Sequence, residues 1–368
     1  MQTRVVAQNS GRADSVLAEL VDVSRGYIQK LIKKKGVKVN GKTLSKPSSG
    51  VAEGDILVIS KNVVKGIEGE KIALDKLLPE KIDFKIVYED KDVLIVDKPS
   101  GLVVHPAHAC PSGTLLNGVL YYLRSIPPEA GREPARGALK ENEQTVTVEL
   151  PKPVNRIDKD TSGLVVIAKN ESAHLALSKQ FENRKVEKWY QAIVFGDFSE
   201  VTKPVDLVEK YGVNYAKEGK TVEFGTWLNR SHIDRRRVVV ADSGRWALSR
   251  FTPIKINKIE MPVKVGNAFI RPPKTYQEEP KSWLKIQILT GRTHQIRAQL
   301  KSLGFTLVGD PMYSNKRYKA LSSSLFEKVG ESARLLLHSW KLTLCLPDGK
   351  PHTFEAKIPE VFKRVYEA

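Results

Sequence analysis

The sequence predicts a protein of two or three domains that combines helices and strands. A basic segment of 66 residues at the amino terminus carries two helical patterns and a hairpin signal. Strand-forming runs begin near residue 82 and alternate with turn compositions. The 368 residues, 41% of them hydrophobic, are enough to bury more than one core, which excludes a wholly disordered chain.

The charge balance indicates a polyanionic partner. Lys and Arg number 60 against 42 Asp and Glu, so the formal net charge is +18 and the isoelectric point is about 9.6. Residues 1–66 alone hold 12 Lys and Arg against 5 Asp and Glu. A basic surplus of this kind is typical of nucleic-acid binding.

Cysteine usage and hydropathy predict a cytoplasmic protein. Cys110 and Cys345 lie too far apart in the sequence for a disulfide framework or a four-thiolate zinc site. No signal-peptide apolar region precedes the first helix, and no run approaches the ~18 apolar residues of a membrane span. We expect no membrane association, and we expect a monomer.

Residues 1–66 predict two short amphipathic helices, in "ADSVLAELV" and "SRGYIQKLIKK", with Ser24 as the N-cap of the second. A hairpin should turn at Asn40-Gly41, and "GDILVIS" should be a closing strand. Residues 36–43 also match a nucleotide-binding phosphate loop. That loop joins a strand to a helix, whereas this match follows a helix and alternates like a strand, so the context favours a hairpin.

The stretches "SRGYIQKLIKKKGVKVNGK" and "EGDILVIS" resemble the S4-type RNA-binding module, with Arg12-Ala13-Asp14 where that family usually has Arg-Leu-Asp. The resemblance implies that the module binds RNA. Its basic helix face would contact RNA through Lys33, Lys34 and Lys35. The alternative is a merely solvated helix face.

A linker over 67–81 leads into the larger domain. The segment "FKIVYEDKDVLIVDKPSGLVVHP" contains three β-rich runs separated by turn compositions. Two stretches without periodicity, 124–145 and 266–281, are predicted loops.

Asp158 lies in a polar bend just before the apolar strand 164–168. A carboxylate placed there suits a nucleophile, a general base or a metal ligand, and the bend alone does not decide between them. The alternative is a turn-capping Asp, which we favour for Asp160.

Two further segments carry candidate groups. "RKVEKWYQAIVFG" predicts a strand with Lys188 and Tyr190 on one face, where an aromatic ring is more often core packing than catalytic. "ILTGRTHQIRAQL" places Arg292, His294, Gln295 and Arg297 in one turn before a helical pattern, which is costly unless these side chains have partners.

Five motifs in order, "VLIVDKPSGLVVHP", "RIDKDTSGLVVIAK", "KWYQAIVFG", "LTGRTHQIRAQL" and "LVGDPMY", resemble the RluA/RluD-type pseudouridine synthases. The resemblance implies an α+β catalytic domain over 82–368 with a mixed, mostly antiparallel sheet and a central cleft. It implies insertions near 124–145, 200–245 and 257–281.

The resemblance also assigns a site. It matches the essential aspartate to Asp158, the tyrosine to Tyr190 and the motif-three arginine to Arg297, while Asn155 stands where the family usually has His. It implies neither a cofactor nor a metal. The candidate substrate-binding residues are Arg156, Thr161, Arg292, His294 and Gln295, with the three module lysines.

The implied reaction is the isomerisation of uridine to pseudouridine in RNA, and we expect large-subunit (23S) ribosomal RNA as substrate. Two alternatives remain open within RNA biology: a transfer-RNA synthase, and a noncatalytic ribosome-assembly factor. A metal nuclease built on Asp158, Asp160, His105 and His108 has a weak ligand set. Whether 235–237, three consecutive arginines, contact RNA is also open.

Overall fold

The chain divides into two units, Met1–Leu78 and Pro79–Ala368, in the computed structural model. The structure describes residues 3–21, 25–33, 35–59, 77–106, 110–125, 150–257 and 279–368. Among them, no helix is both long enough and apolar enough to cross a bilayer.

The first unit packs two helices on a small antiparallel sheet whose strand order is β1-β6-β3-β4. Strands β2 and β5 pair with each other in a separate two-stranded antiparallel sheet. The elements are β1 Thr3–Val6, β2 Gly11–Arg12, α1 Ala13–Val21, α2 Arg25–Lys33, β3 Val37–Val39, β4 Lys42–Thr43, β5 Gly50–Val51 and β6 Ile56–Ile59.

The apolar periodicity explains this fold. Leu17 of α1 and Ile28 and Ile32 of α2 are buried against Leu57 and Ile59 of β6, all at 1% exposure or less. The two predicted helices, the hairpin and the closing strand are therefore confirmed. Ser24 and Lys34 lie outside the described residues.

The hairpin β3–β4 turns at Asn40 and Gly41, which have φ values of 48° and 82°. Two successive residues with positive φ form the tight turn that Asn-Gly favours. Because this hairpin occupies the match to a phosphate loop, that match has neither the preceding strand nor the following helix of a nucleotide site.

The second unit is built on one large sheet with the strand order β12-β13-β15-β16-β11-β18-β10-β8-β7. Four short strands pair with strands of this order: β14 with β13, β17 with β11, β19 with β18 and β9 with β10. The strands are β7 Lys85–Glu89, β8 Val93–Lys98, β9 Lys152–Pro153, β10 Ser162–Ala168, β11 Glu187–Phe195, β12 Asn214–Glu218, β13 Thr221–Arg230, β14 Val238–Ala241, β15 Arg245–Asn257, β16 Lys281–Ile288, β17 Thr306–Leu307, β18 Leu337–Cys345 and β19 Pro351–Glu355.

Helices cover both faces of this sheet. The described helices are α3 Leu115–Ser125, α4 Glu171–Glu182, α5 Val205–Tyr211, α6 Gln295–Ser302, α7 Lys316–Lys328 and α8 Glu360–Glu367, with a 3-10 helix at Phe198–Glu200. The strand pairs are antiparallel apart from β10 and β18, which run parallel. The expected mixed, mostly antiparallel α+β sheet is confirmed.

The central strands position the site. Tyr190 and Ala192 of β11 and Ile286 of β16 pack against Ile296 and Leu300 of α6 in the largest apolar cluster. This packing holds α6 on one face of the sheet, and α6 carries the arginine predicted for the site.

Some sequence expectations need correction. The third β-rich run, 102–105, makes only an isolated bridge between Val103 and Thr114, because its carbonyls accept the first free N–H groups of α3 instead of joining a ladder. The predicted loop 124–145 begins inside α3, which continues to Ser125. Residues 126–149 and 258–278, which hold most of two predicted insertions, lie outside the described residues. The stretch 200–245 supplies α5 and strands β12 to β14 of the main sheet.

Candidate active site

Asp158 lies in a turn that is fastened to strand β10. Asn155, three residues earlier, accepts from the backbone N–H of Val166 at 2.7 Å and donates to the carbonyl of Leu164 at 3.5 Å. The N–H of Thr161 donates to the Asp158 carbonyl at 3.2 Å and closes the turn. Asn155, at the position of the usual family His, therefore anchors the chain before the aspartate.

A buried lysine supports the same turn from behind. The Nζ atom of Lys98, a fully buried residue, donates to the carbonyls of Pro99 and Leu102 at 2.8 Å and of Lys159 at 2.9 Å. Burial lowers the pKa of Lys98 to about 7. The three acceptors match the three donors of an ammonium and so favour the charged form. Lys98 thereby ties the end of β8 to the residue after Asp158.

Arg297 projects from α6 and joins two carboxylates. Its Nε and Nη2 atoms each donate to Asp310 at 2.9 Å, and its Nη1 donates to Asp158 Oδ2 at 3.2 Å. Asp310 also accepts from the backbone N–H groups of Met312 and Tyr313, at 2.8 and 2.9 Å. The bidentate contact fixes the guanidinium plane, so the remaining nitrogen is held towards Asp158.

The charges of this cluster stabilise one another. Burial alone would lower the pKa of Arg297, but the hydrogen bonds and negative charges of Asp310 and Asp158 raise it overall. Burial would likewise raise the pKa of Asp310, yet Arg297 and the two backbone donors lower it overall. The guanidinium and the Asp310 carboxylate are therefore both ionised at neutral pH.

His294 precedes α6 in the left-handed conformation, with φ 54°. Its Nε2 atom lies 3.8 Å from Asp158 Oδ2, and its Nδ1 atom lies 3.1 Å from the Tyr313 hydroxyl. Burial lowers the pKa of His294, although the charge of Asp158 opposes the shift. His294 is therefore neutral at neutral pH and does not form a charged pair with Asp158.

Tyr190 lies on β11 between Ser339 of β18 and Ile286 of β16. Its side chain belongs to the largest apolar cluster and is 8% exposed. Burial raises the pKa of Tyr190 to about 12, and the charge of Asp158 adds to the shift. The phenol therefore stays protonated and lies close enough to sense the aspartate.

The structure separates the other predicted contacts into two groups. Arg156 is exposed, and Arg292 is half-buried, with its Nε atom donating to the carbonyl of Trp246 at 3.0 Å. Thr161 and Gln295 are only 2% and 3% exposed. Their side chains are buried, and their role in substrate binding stays a prediction.

Gln295 instead holds the turn before α6 together. Its Oε1 accepts from the Thr290 hydroxyl at 2.7 Å and from the N–H of Arg292 at 3.0 Å. Its Nε2 donates to the carbonyl of Leu248 at 3.0 Å and to the Ser249 hydroxyl at 2.9 Å. Gln295 positions the arginines around it.

The lysines of the first unit were predicted to contact RNA. Lys33, at the end of α2, and Lys35, just after it, are both exposed. Their exposure is compatible with binding a polyanion.

Three residues of this site were not identified from the sequence: Lys98, Asp310 and Tyr313. Asp310 lies in "LVGDPMY", where a carboxylate beside apolar residues signals a buried partner. Its partner, Arg297, lies 13 residues away on another element. The sequence does not show this pairing, because it depends on the tertiary fold. Tyr313 lies in the same motif, and its hydroxyl bridges His294 and β14.

The metal-nuclease alternative finds no support. His108 lies outside the described residues, and the Nδ1 atom of His105 lies 2.6 Å from the carbonyl oxygen of Pro106. Within the described ranges no group of three or more His, Cys, Asp or Glu side chains is arranged to hold a metal ion.

Comparison with known proteins assigns the class. Residues 92–302 match the RNA pseudouridylate synthase family, and residues 11–57 match the S4 domain. The chain belongs to the RNA pseudouridylate synthase family and carries an S4 domain at its amino terminus. It is a pseudouridine synthase, an enzyme with an RNA substrate.

Similar proteins span nearly the whole chain. An uncharacterized RNA pseudouridine synthase of Aquifex aeolicus is 34% identical over 96% of this chain and 92% of its own length. The ribosomal large subunit pseudouridine synthase D of Pseudomonas aeruginosa is 30% identical over 95% of this chain and 89% of its own length. The Escherichia coli protein of the same name is 29% identical over 97% and 91%.

Proposed function

We propose that this enzyme converts uridine to pseudouridine in large-subunit ribosomal RNA, with Asp158 as the catalytic carboxylate. The observation that carries the proposal is the unequal division of the Arg297 hydrogen bonds between two carboxylates. Asp310 takes two of its nitrogens and Asp158 only one. Asp158 is therefore aimed by a single guanidinium nitrogen, while its side chain remains 25% exposed and able to meet a substrate.

The reaction suits these groups. The N1–C1′ glycosidic bond must break, the uracil must rotate, and a bond from C5 to C1′ must form, with the C5 hydrogen lost as a proton and N1 taking up a proton. No electrons are gained or lost overall, so no redox partner enters the balance. A carboxylate can attack the sugar, attack the base, or stabilise a cationic sugar. The proposal leaves each of these three roles open to Asp158.

The proposal also gives a role to Tyr190, a buried, protonated ring whose pKa the charge of Asp158 raises. Its pKa of about 12 keeps the phenol neutral across the working range of the enzyme. We propose that it packs against the released uracil, which must stay in the site while it turns. In this proposal its hydroxyl could also move a proton.

Arg156 is proposed to act on the RNA and not on the reacting bond. A base inside a helix cannot reach Asp158 unless it is flipped out of the stack. Arg156 is exposed two residues before Asp158. It is therefore placed to fill the vacated space or to contact a phosphate.

The substrate class rests on the relatives. Those from Pseudomonas aeruginosa and Escherichia coli are named ribosomal large subunit pseudouridine synthases and align over nearly the full chain, S4 domain included. The excess of basic residues in 1–66 and the exposed Lys33 and Lys35 fit a large structured RNA.

The test is tritium release from RNA labelled at uridine C5, with 23S ribosomal RNA and transfer RNA transcripts assayed separately. Asp158→Asn removes the charge with little change of shape, and it should lower turnover by on the order of 10³-fold or more. Asp160→Asn is the matched control, because it removes a carboxylate from the same turn; it should retain turnover.

Release from 23S RNA by the wild type, and none by Asp158→Asn, supports both parts of the proposal. Release from transfer RNA alone would overturn the ribosomal substrate and leave the role of Asp158 intact. Equal release by Asp158→Asn and the wild type would overturn Asp158 as the catalytic carboxylate.

A further inference from the structure

Strands β13 and β15 carry arginines that have no acidic partner. Arg230, at the end of β13, and Arg245, at the start of β15, are both exposed. In the described part of the chain, no carboxylate lies within ion-pair distance of Arg230, Arg245 or Arg292. Unpaired arginines on one surface favour the binding of anions.

Strand register places these arginines on the face that carries α6. Arg245 is directly opposite Leu228, and Arg230 is directly opposite Val238. Leu228 and Val238 are buried against Ala298 of α6. Since opposite residues in paired strands share a face, Arg230 and Arg245 extend from the edge of this apolar cluster.

Hydrogen bonds connect this edge directly to the site. The Tyr313 hydroxyl donates to the carbonyl of Val238 and accepts from its N–H, both at 2.9 Å. The same hydroxyl lies 3.1 Å from His294 Nδ1, and His294 Nε2 lies 3.8 Å from Asp158. Two side chains, those of Tyr313 and His294, therefore connect the backbone of Val238, opposite Arg230, to Asp158.

Arg292, in the turn before α6, contacts the strand that carries the second arginine. Its Nε atom donates to the carbonyl of Trp246, the neighbour of Arg245 in β15. Burial lowers the pKa of Arg292, and the positive charges of Arg245 and Arg184 lower it further. Like charges held this close repel one another, and a bound anion would relieve the repulsion.

Other arginines of this region already have an acidic partner. Arg236 and Arg237 pair with Asp234, at 2.9 and 3.5 Å. Arg250 lies on the opposite face of β15, where it pairs with Glu223 at 2.8 Å and faces Gln287. Two of the three arginines at 235–237 therefore share one acidic partner.

We propose that Arg230 and Arg245, together with Arg292, bind phosphate groups of the RNA strand that flanks the target uridine. This surface, the β13–β15 arginine clamp, would hold the strand in register while the uridine enters the site next to Asp158. The inference rests on the proposed function, because it takes RNA reacting at Asp158 as the ligand.

The test measures RNA affinity against salt concentration for the full chain, with the 23S transcript as probe and Asp158→Asn as the background, so that no turnover occurs. Adding Arg230→Ala and Arg245→Ala should lower the salt slope by about 2, since each lost phosphate contact removes ~1. The matched control adds Arg236→Ala and Arg250→Ala, which removes the same charge from paired positions and should leave the slope unchanged.

Turnover is then measured with Asp158 restored. The clamp double variant should raise KM by at least about tenfold at 200 mM salt while kcat changes little, because phosphate contacts position the strand without touching the reacting bond. An unchanged slope, or an equal drop in the control pair, would overturn the clamp. Absence of tritium release from every RNA by the wild type would instead count against the proposed function, while the slope comparison would still decide whether these arginines bind phosphate. Circular dichroism of both double variants checks that they fold.

Discussion

The two carboxylates that contact Arg297 differ in burial and in the number of hydrogen bonds that they accept. On the interior side, Asp310 is fully buried and accepts four hydrogen bonds, two from Arg297 and two from backbone N–H groups. On the substrate side, Asp158 is 25% exposed and accepts one, from Arg297. Arg297 thus stabilises Asp310 within the fold and orients Asp158 on the substrate side.

This asymmetry explains how a reactive carboxylate can be held beside an arginine without being neutralised. The single positive charge of Arg297 is shared with two negative charges, so the cluster keeps a net negative charge that points to the substrate side. A buried pair without further donors would be costly. The backbone donors to Asp310 offset that cost and leave Arg297 free to hold Asp158.

The largest effect on stability is expected on the interior side. Asp310→Asn removes the charge that balances a buried guanidinium, and breaking a buried pair in this way costs ~3–5 kcal/mol. Tryptophan fluorescence during urea unfolding measures it, because all five tryptophans lie between residues 189 and 340 and report only on the second unit.

Asp348→Asn is the control for Asp310→Asn. Asp348 is a surface carboxylate that pairs with His352 at 2.9 Å, and exposed pairs of this kind contribute little to stability. A loss at Asp310 no greater than the loss at Asp348 would contradict the structural role assigned to the interior side.

The sequence predicted much of the fold because local patterns determine its elements. The Asn-Gly turn of the first unit and the helices on either side of Ser24 follow from short-range signals. The prediction of a strand at 102–105 was wrong. The composition of this segment is strand-like, but its carbonyls accept from the first N–H groups of α3 instead of from another strand. Composition does not show which partner satisfies a backbone carbonyl.

For the site, the residues named by motif were easier to predict than their surroundings. The structure brings Asp158, Arg297 and His294 together, as the order of motifs indicated. It also buries Gln295, which sits in the same polar turn as Arg292 and His294. Residue type could not distinguish the half-buried members of that turn from the buried one, because burial depends on β15 packing against it.

The next effect concerns another buried polar group, His338, and depends on pH. His338 is fully buried, with its Nδ1 atom 2.9 Å from the Ser162 hydroxyl. Burial, with the positive charge of Arg334, lowers the pKa of His338 to about 4 from 6.5. Between these values the unfolded chain binds a proton that the folded chain does not, so stability is full above pH 6.5 and falls as the pH drops towards 4.

The expected loss is ~2 kcal/mol between pH 7 and pH 5, measured by the same fluorescence-detected unfolding. His338→Gln should remove that pH-dependent part, whatever it does to stability at pH 7. An exposed histidine, His232, changed to Gln is the control and should keep the pH dependence of the wild type. The same pH dependence in His338→Gln as in the wild type would show that His338 is not the group that titrates.

The smallest effect on stability is expected on the substrate side. Asp158→Asn keeps an oxygen that can accept from Arg297, and the guanidinium keeps Asp310 as its partner. We therefore expect the free energy of unfolding to change by less than ~1 kcal/mol, the worth of a single ordinary hydrogen bond, although turnover is lost. A destabilisation as large as that of Asp310→Asn would show that the fold depends on both carboxylates. The loss of turnover could then no longer be assigned to chemistry alone, because a collapsed site would give the same result.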